Sequence, residues 1–263
     1  MLKGSVWWHK LIRHLASVID VYDSMNAVMS LGIDRRVRER LVEELVEVCG
    51  RPRRVVDVGC GPGTLLEYLV RRASHVIAVD PLQPMLCEVR RRLHKYRHLI
   101  DCVVAVGEHL PIRDEGVDLV TAAFSLRDFI DWVRGVEEFS RISRRCYAVL
   151  DIAKRRGIAL VAQLLWWGLV VPLAALAYRK NPSHYIALAR TIVRWRTPEE
   201  IAKVASRYAV SVRLERIAGG FAFKLLACTR RDDCSSERRK RGEVRATTIR
   251  GVERPRGDER SLH

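Results

Sequence analysis

The chain has 263 residues, 48% apolar and 30% charged, with a formal net charge of +16; this excludes a disordered or fibrous chain and allows one sizeable α/β domain or two small ones. The charge excess sits on the body, because ten Lys/Arg and seven Asp/Glu lie after residue 230 and 37 basic and 24 acidic residues before it. Such a body is drawn to anionic nucleic acid or phospholipid, unless the excess serves only solubility and reflects arginine usage.

The opening MLKGSVWWHKLIRHL has no continuous apolar run of signal-peptide type and reads as an amphipathic helix. Residues 5–49 carry two or three helices, ending at Gly50-Arg51-Pro52. Strand and helix signals then alternate. RRVVDVG is followed by Gly-Pro-Gly and the helical TLLEYLVRRA, and HVIAVD by a helix from Pro84 to Lys95. CVVAV, VDLVTAAF and CYAVLDIA follow, with Trp132 to Ile142 helical between the last two. Five continuously apolar strands alternating with helices imply a doubly wound parallel sheet, an α/β Rossmann-like fold. After residue 196, TPEEIAKVASRY is a helix with Thr197 as N-cap and Pro198 at its first position. VSVRLERIA and FAFKLLACT flank Gly219-Gly220 as a hairpin.

The expected organisation has five parts. Residues 1–50 form an N-terminal helical cover, 51–156 a cofactor-binding core, and 157–196 an apolar helical cap over the substrate site. Residues 197–230 supply a helix and hairpin that complete the sheet, and 231–263 read as a disordered basic tail. The seven cysteines show no metal-ligand spacing, so no metal site is expected, and they read as free thiols in a reducing cytoplasm.

From Ile158 to Tyr178 the single polar side chain is Gln163, a run long enough to span a bilayer. A span would put the hairpin on the other side from strands 1–5, and the basic flanks Lys154-Arg155-Arg156 and Arg179-Lys180 give no orientation. Pro172 should kink any helix here, so the expected form is a kinked helical pair with its outer face against lipid. A re-entrant dip or true span is the competing reading. Trp7, Trp8, Trp166 and Trp167 suit a membrane interface, a greasy pocket wall or plain core.

DVGCGPG, Asp57 to Gly63, falls where a first strand ends and a helix begins. Gly59, Gly61 and Gly63 let the backbone turn and approach a ligand, with Pro62 between them. Leu66 stands where the dinucleotide fingerprint needs its third glycine. Asp80 ends the second strand, placed to accept hydrogen bonds from a ribose diol, so on these features alone NAD still competes.

VVDVGCGPGTL followed by VIAVD resembles the first two motifs of class I S-adenosylmethionine-dependent methyltransferases. That resemblance implies a seven-stranded sheet whose last strand is antiparallel, with S-adenosyl-L-methionine as cofactor. YDSMNAVMSLGIDRR, GEHLPI and TAAFSLRDFID resemble, in order, three segments of the ubiquinone/menaquinone C-methyltransferase family. The implied cofactor residues are Asp57, Gly59, Gly61, Pro62, Gly63, Asp80, the backbone of Val106 and Gly107, and Ala123. Tyr22 and Asn26 are implied to cover the site, although Tyr22 reads equally as core. Val106 stands where relatives carry Asp or Asn, Ser125 stands for Gly, Asp128 for Asn, and Ser143-Arg144-Arg145-Cys146 replaces a Lys-Pro-Gly-Gly turn. These departures bear on substrate identity more than on cofactor binding.

The implied reaction is C-methylation of a polyprenyl quinol ring, demethylmenaquinol-like. It needs a base to remove a hydroxyl proton and a cation to steady the resulting phenolate. Asp128 is the expected base, directly or through a water, and Arg127 its partner, just past strand 4; the competing reading is a surface salt bridge. Nothing orients His9, His109 or His184. The expected partners are a lipophilic quinol and the anionic inner face of the cell membrane, approached peripherally from the cytoplasm. Three readings compete: methylation of another lipid or small molecule, methylation of RNA, and a catalytically silent lipid-binding accessory protein. Against RNA, AAFSLRD lacks the Asn/Asp-Pro-Pro-aromatic motif of amino-group methylation.

Overall fold

The computed structural model describes residues 22–30, 32–177, 191–230 and 247–250, the last four and residues 22–23 by backbone alone. Two helices open it, α1 (Tyr22–Ser30) and α2 (Asp34–Cys49). Leu41, Leu45 and Val48 recur at helical spacing on the buried face of α2, each contributing roughly 1.5–3 kcal/mol on burial. The alternating part follows as β1 (Arg54–Val58), α3 (Leu66–Leu69), β2 (His75–Asp80), α4 (Gln83–Arg92), β3 (Ile100–Val104) and β4 (Val117–Ala123). Next come α5 (Trp132–Ile142), β5 (Ser143–Ile152), the long helix α6 (Ile158–Ala177), α7 (Pro198–Ala205), β6 (Ser211–Ile217) and β7 (Ala222–Cys228). The caps are where sequence chemistry puts them. Asp131 accepts the Val133 and Arg134 N–H groups at the start of α5, and Thr197 and Glu200 form a capping box on α7.

The strands lie in the order β3-β2-β1-β4-β5-β7-β6 and continue to an eighth, β8 (Thr247–Arg250). β1 to β5 are parallel, and β7 runs antiparallel to both β5 and β6. Alternation along β1 sends Val56 and Val58 to the face covered by α5 and α7, with Phe139, Ile201 and Ala205. Val55 goes to the other face, with Leu41 and Leu45 of α2, Leu66 and Leu86. The order in which strands are added reverses between β1 and β4, and ligands of such sheets bind at the carboxyl ends of strands beside that switch.

Three expectations are corrected. The tail is not wholly without structure: β8 pairs with β6, Val212 opposite Ile249 and Leu214 opposite Thr247. Thr-Thr-Ile suits a pleated surface, and β6 would otherwise present an open edge. The rest of the tail lies outside the described residues. Nor are all cysteines free: Cys146 and Cys228 face each other across β5 and β7 and form a disulfide, while Cys60, Cys87 and Cys102 are free thiols. Finally, residues 158–177 run as one helix. In place of a helical pair kinked at Pro172 there is a π turn over Trp166–Val170, in which the Val171 N–H bonds back to the Trp166 carbonyl. The wider turn absorbs the proline's missing donor and ring clash without ending the helix.

α6 has two faces. Gln163, Trp167, Val171 and Ala175 are buried, and Val171 and Ala175 pack on Met25 of α1. The Gln163 amide donates to the Ala153 carbonyl and accepts the Arg155 N–H, so the one polar side chain of the run is satisfied inside. Ile158, Val161, Leu165, Leu169, Leu173 and Leu176 form an exposed apolar stripe on the opposite side. By length and composition this helix could cross a membrane.

Candidate functional site

The carboxyl ends of β1, β2 and β4 meet at the glycine loop. Gly59 adopts φ +67°, and a Cβ there would lie 2.4 Å from the Ser125 Cβ, so only glycine fits both the conformation and the neighbour. Ser125 closes that contact by donating its hydroxyl to the Val58 carbonyl at 2.8 Å, which links the end of β4 to the end of β1. Gly59 and Cys60 donate their N–H groups to the Val79 carbonyl, holding the loop against β2. Gly61, Pro62 and Gly63 continue it into the turn before α3.

Asp80 is buried and ties this loop down. Its Oδ2 accepts the Gly61 N–H at 2.9 Å and its Oδ1 the Leu82 N–H at 2.9 Å. Each carboxylate oxygen retains a second lone pair for a ligand hydroxyl. Burial pushes its carboxyl up to about 6, against the pull of the two amides. Asp57, also buried, accepts the Thr121 hydroxyl at 2.8 Å, and burial pushes it up to about 7. Sequence reading did not single out Thr121.

Ala123 ends β4 in the buried layer. Gly107 is pressed by the Phe129 ring, which a Cβ there would meet at 2.0 Å. Val106 is half-buried, and its carbonyl accepts the His109 N–H. Glu108 anchors the facing loop by accepting the Ile130 N–H at 2.7 Å and the Asp131 N–H at 3.1 Å.

Arg127 and Asp128 sit on a 3-10 turn directly after β4. Arg127 Nη1 donates to the Phe124 carbonyl and to Asp151 Oδ1, both at 2.7 Å, and its backbone N–H reaches Asp151 Oδ2. Asp151 is fully buried on β5, so this is no surface pair. Asp128 Oδ2 lies 3.6 Å from Arg127 Nη2, while its Oδ1 is buried without a hydrogen-bond partner. Burial lifts its carboxyl to about 6, against the Arg127 charge. Sequence reading missed Asp151, whose signal was an acid inside the apolar run CYAVLDIA.

α1 and α2 bring further groups. Asn26 of α1 is partly buried, its Nδ2 enclosed and unpartnered. Tyr22 opens α1, but its side chain lies outside the described residues, as do His9, His184, Trp7 and Trp8. His109 is exposed, Trp166 donates to the Met29 carbonyl, and Trp167 is buried beside Ile152 and Ile192. Arg38 of α2, which sequence reading also missed, is buried with its guanidinium 4.8 Å above the Phe124 ring. Phe124 itself takes φ +60°, a conformation costing a non-glycine residue roughly 1–2 kcal/mol.

Among the described residues three buried side-chain polar atoms lack a hydrogen-bond partner: Asn26 Nδ2, Arg38 Nε and Asp128 Oδ1. An unmade buried hydrogen bond costs about 1–3 kcal/mol, so each of the three is a candidate for completion by a ligand. A glycine hinge, two carboxylates and unpartnered donors fit a zwitterionic nucleoside. No cluster of three metal-ligating side chains is present among the described residues.

Comparison with known proteins bears on the same region. The model of the ubiE/COQ5 methyltransferase family matches residues 9–225. A demethylmenaquinone methyltransferase of Thermobifida fusca is 30% identical over 194 residues, 72% of this chain and 81% of that protein. One from a Roseiflexus species is 31% identical over 199 residues, 73% of this chain and 81% of that one. Among solved structures, a putative S-adenosylmethionine-dependent methyltransferase of Methanococcus maripaludis superposes with TM-score 0.54 at 18% identity, covering 81% of this chain and 92% of that one. A magnesium protoporphyrin IX methyltransferase of Synechocystis with bound S-adenosylmethionine gives TM-score 0.52 at 14% identity, covering 74% and 79%. At these identities the two structures speak for the fold alone.

Proposed function

Since the chain belongs to the ubiE/COQ5 methyltransferase family, we propose that its methyl acceptor is a ring carbon of a demethylmenaquinol-like polyprenyl quinol. The enzyme is an S-adenosylmethionine-dependent methyltransferase. Bound at the glycine loop, the cofactor supplies an electrophilic methyl group on a sulfonium. Asp57, Asp80 and the Gly59–Gly63 loop would hold it, with the backbone of Val106 and Gly107 and the end of β4 at Ala123 alongside, and Asn26 of α1 closing over it.

The chain's own work is to place the quinol and take its proton. A quinol carbon becomes nucleophilic when a neighbouring hydroxyl gives up its proton, because the oxygen then pushes charge into the ring; after methylation that carbon's own hydrogen leaves as a proton and the ring regains aromaticity. Asp128 Oδ1 is the acceptor in this reading: buried, unpartnered, and on a carboxyl raised to about 6, near the working pH where general bases act best. Arg127, pinned by Asp151, keeps a fixed cation 3.6 Å from Asp128 to steady the phenolate. That unpartnered oxygen beside a locked cation is the observation that carries the reading.

The exposed stripe of α6 would meet lipid, and exposed Arg156, two residues before the helix, would meet anionic headgroups at the inner face of the cell membrane. β5 before the helix and β7 after it pair in one sheet, which supports lying on the bilayer over crossing it. The α6 helix would then cover a long isoprenoid tail as it enters the site.

The test offers labelled S-adenosylmethionine to a reduced demethylated naphthoquinol, a demethylated benzoquinol and a duplex RNA in parallel. Label in the naphthoquinol ring supports the proposal. Label in the benzoquinol alone moves the substrate to the ubiquinone side of the family. Label in RNA, or in none, overturns the proposal.

A further inference from the structure

Arg38 belongs to no motif that marks the site. It lies one turn before Leu41 and Val42 on the buried face of α2, at 4% exposure. Long cationic side chains almost never sit that deep without partners, and this one is incompletely matched. Asp34 offers a carboxylate 3.8 Å from Arg38 Nε, too far for a hydrogen bond, and Nε has no hydrogen-bond acceptor. Its guanidinium lies over Phe124, on the residue between Ala123 and Ser125, hence beside the glycine loop that Ser125 touches. Its charge reaches Asp57 as well, where it pulls against the burial that raises that carboxyl.

A buried cation and a buried carboxylate within one another's field, next to a glycine loop, form a receptor for a zwitterion. The methyl donor carries one: its amino-acid end has an ammonium and a carboxylate on the same carbon. The ammonium matches Asp57. We propose that Arg38 anchors the carboxylate of the methyl donor's amino-acid end, turning α2 from a packing helix into a wall of the cofactor site. Phe124 is then a platform. Its ring holds the guanidinium plane from below, which accounts for a bulky residue kept at positive φ. The inference rests on the cofactor alone and stands whatever the methyl acceptor proves to be.

The test compares two ligands by calorimetry, with no turnover needed. One is S-adenosylhomocysteine; the other is its decarboxylated analogue, which keeps the adenosine, thioether and amine. The full-length wild-type protein should bind the first roughly 30-fold tighter or more, as truncating a buried charge-assisted contact implies. Arg38→Met should lose that preference by weakening the first ligand alone, leaving the analogue within about 2-fold of wild type. Arg38→Lys, which keeps the charge but not the flat fork, should retain part of it. Equal weakening of both ligands by Arg38→Met would mean that the residue only positions Phe124, and the proposal falls. It falls equally if neither ligand weakens. Should Arg38→Met not fold, the wild type still decides: binding of both ligands within about 3-fold overturns the anchor.

Discussion

Arg127 Nη1 lies 2.7 Å from Asp151 Oδ1, and the same carboxylate takes the Arg127 backbone N–H at 3.2 Å. Side chain and main chain are thus gripped together, and the turn that follows β4 is fixed to β5 by one buried acid.

Removing that acid leaves a cation in a dry place. Asp151→Ala should cost roughly 3 kcal/mol or more in urea unfolding, because breaking a buried pair strands its partner. Asp151→Asn, milder for the fold, should lower kcat at least about 10-fold while cofactor affinity by calorimetry stays within about 2-fold. Unchanged kcat would remove Asp151 from any role in orienting Arg127.

The Asp128 carboxyl, raised to about 6 by burial, sets the expected pH profile. Only its ionised form accepts a proton, so kcat/KM should climb about tenfold per pH unit below 6 and level off above. Asp128→Asn should remove that limb. Stability has the opposite sign: the folded state favours the neutral acid, so this group's contribution is whole below its ordinary 3.8 and fades as pH rises through about 6. Protein without cofactor should accordingly unfold more readily at pH 7 than at pH 5, and Asp128→Asn should reduce that difference in thermal melts, Asp57 and Asp80 supplying the remainder.

Cys146 and Cys228 close a loop of sequence separation 82. Chain entropy assigns such a link roughly 4.5 kcal/mol, a model-dependent figure. Alkylation in denaturant should find two additional thiols only after reduction, and Cys228→Ser should lower the melting temperature of the unreduced protein. Equal labelling with and without reductant would show the pair to be open.

The α6 stripe can be altered without touching the core. Leu165→Glu, Leu169→Glu and Leu173→Glu together change exposed side chains, so far-ultraviolet circular dichroism and melting should hold. Sedimentation with anionic vesicles should fall by about 100-fold or more, because each leucine would forgo about 1 kcal/mol or more of apolar burial in the lipid. Binding that persists would locate the lipid-facing surface elsewhere.

Gly59 and Ser125 make a final pair. Gly59→Ala places a methyl 2.4 Å from the Ser125 Cβ at φ +67°. Ser125→Gly relieves the first problem and leaves the second, so the double variant should recover part of the roughly 2 kcal/mol penalty, read by denaturant midpoint.

Much of this architecture was legible in the sequence, for physical reasons. Parallel strands buried on both faces write themselves as Val55–Val58 or Val117–Ala123 do, mostly apolar, with Asp57, Asp118 and Thr121 the exceptions. Glycines at a strand end followed by an acid at the next strand end signal a cradle before any contact is known. What escaped were residues whose meaning depends on distant partners. Asp151 looked like the end of an apolar run, and its partner is 24 residues away. Arg38 read as one charge among many in DRRVRERL, although its spacing from Leu41 and Val42 put it on the buried face. The Cys146–Cys228 pairing follows from strand register, which no cysteine spacing encodes. β8 lay beyond a stretch whose composition suggested nothing would pack.

The wide turn at Trp166–Val170 holds one residue more than regular winding would. Each residue of an ordinary helix advances about 100° around its axis, so that extra residue sets how the two halves of α6 are clocked against each other. With it, Gln163 and Val171 look the same way, inward, and the leucines before and after share a single outward line. Deleting Gly168 would remove no large side chain and leave composition almost untouched. The half of the helix beyond it would keep its facing, because Gln163 and Val171 would then stand seven residues apart, about 700° of regular winding, so Val171 and Ala175 would stay on Met25 and only the bulge would be lost.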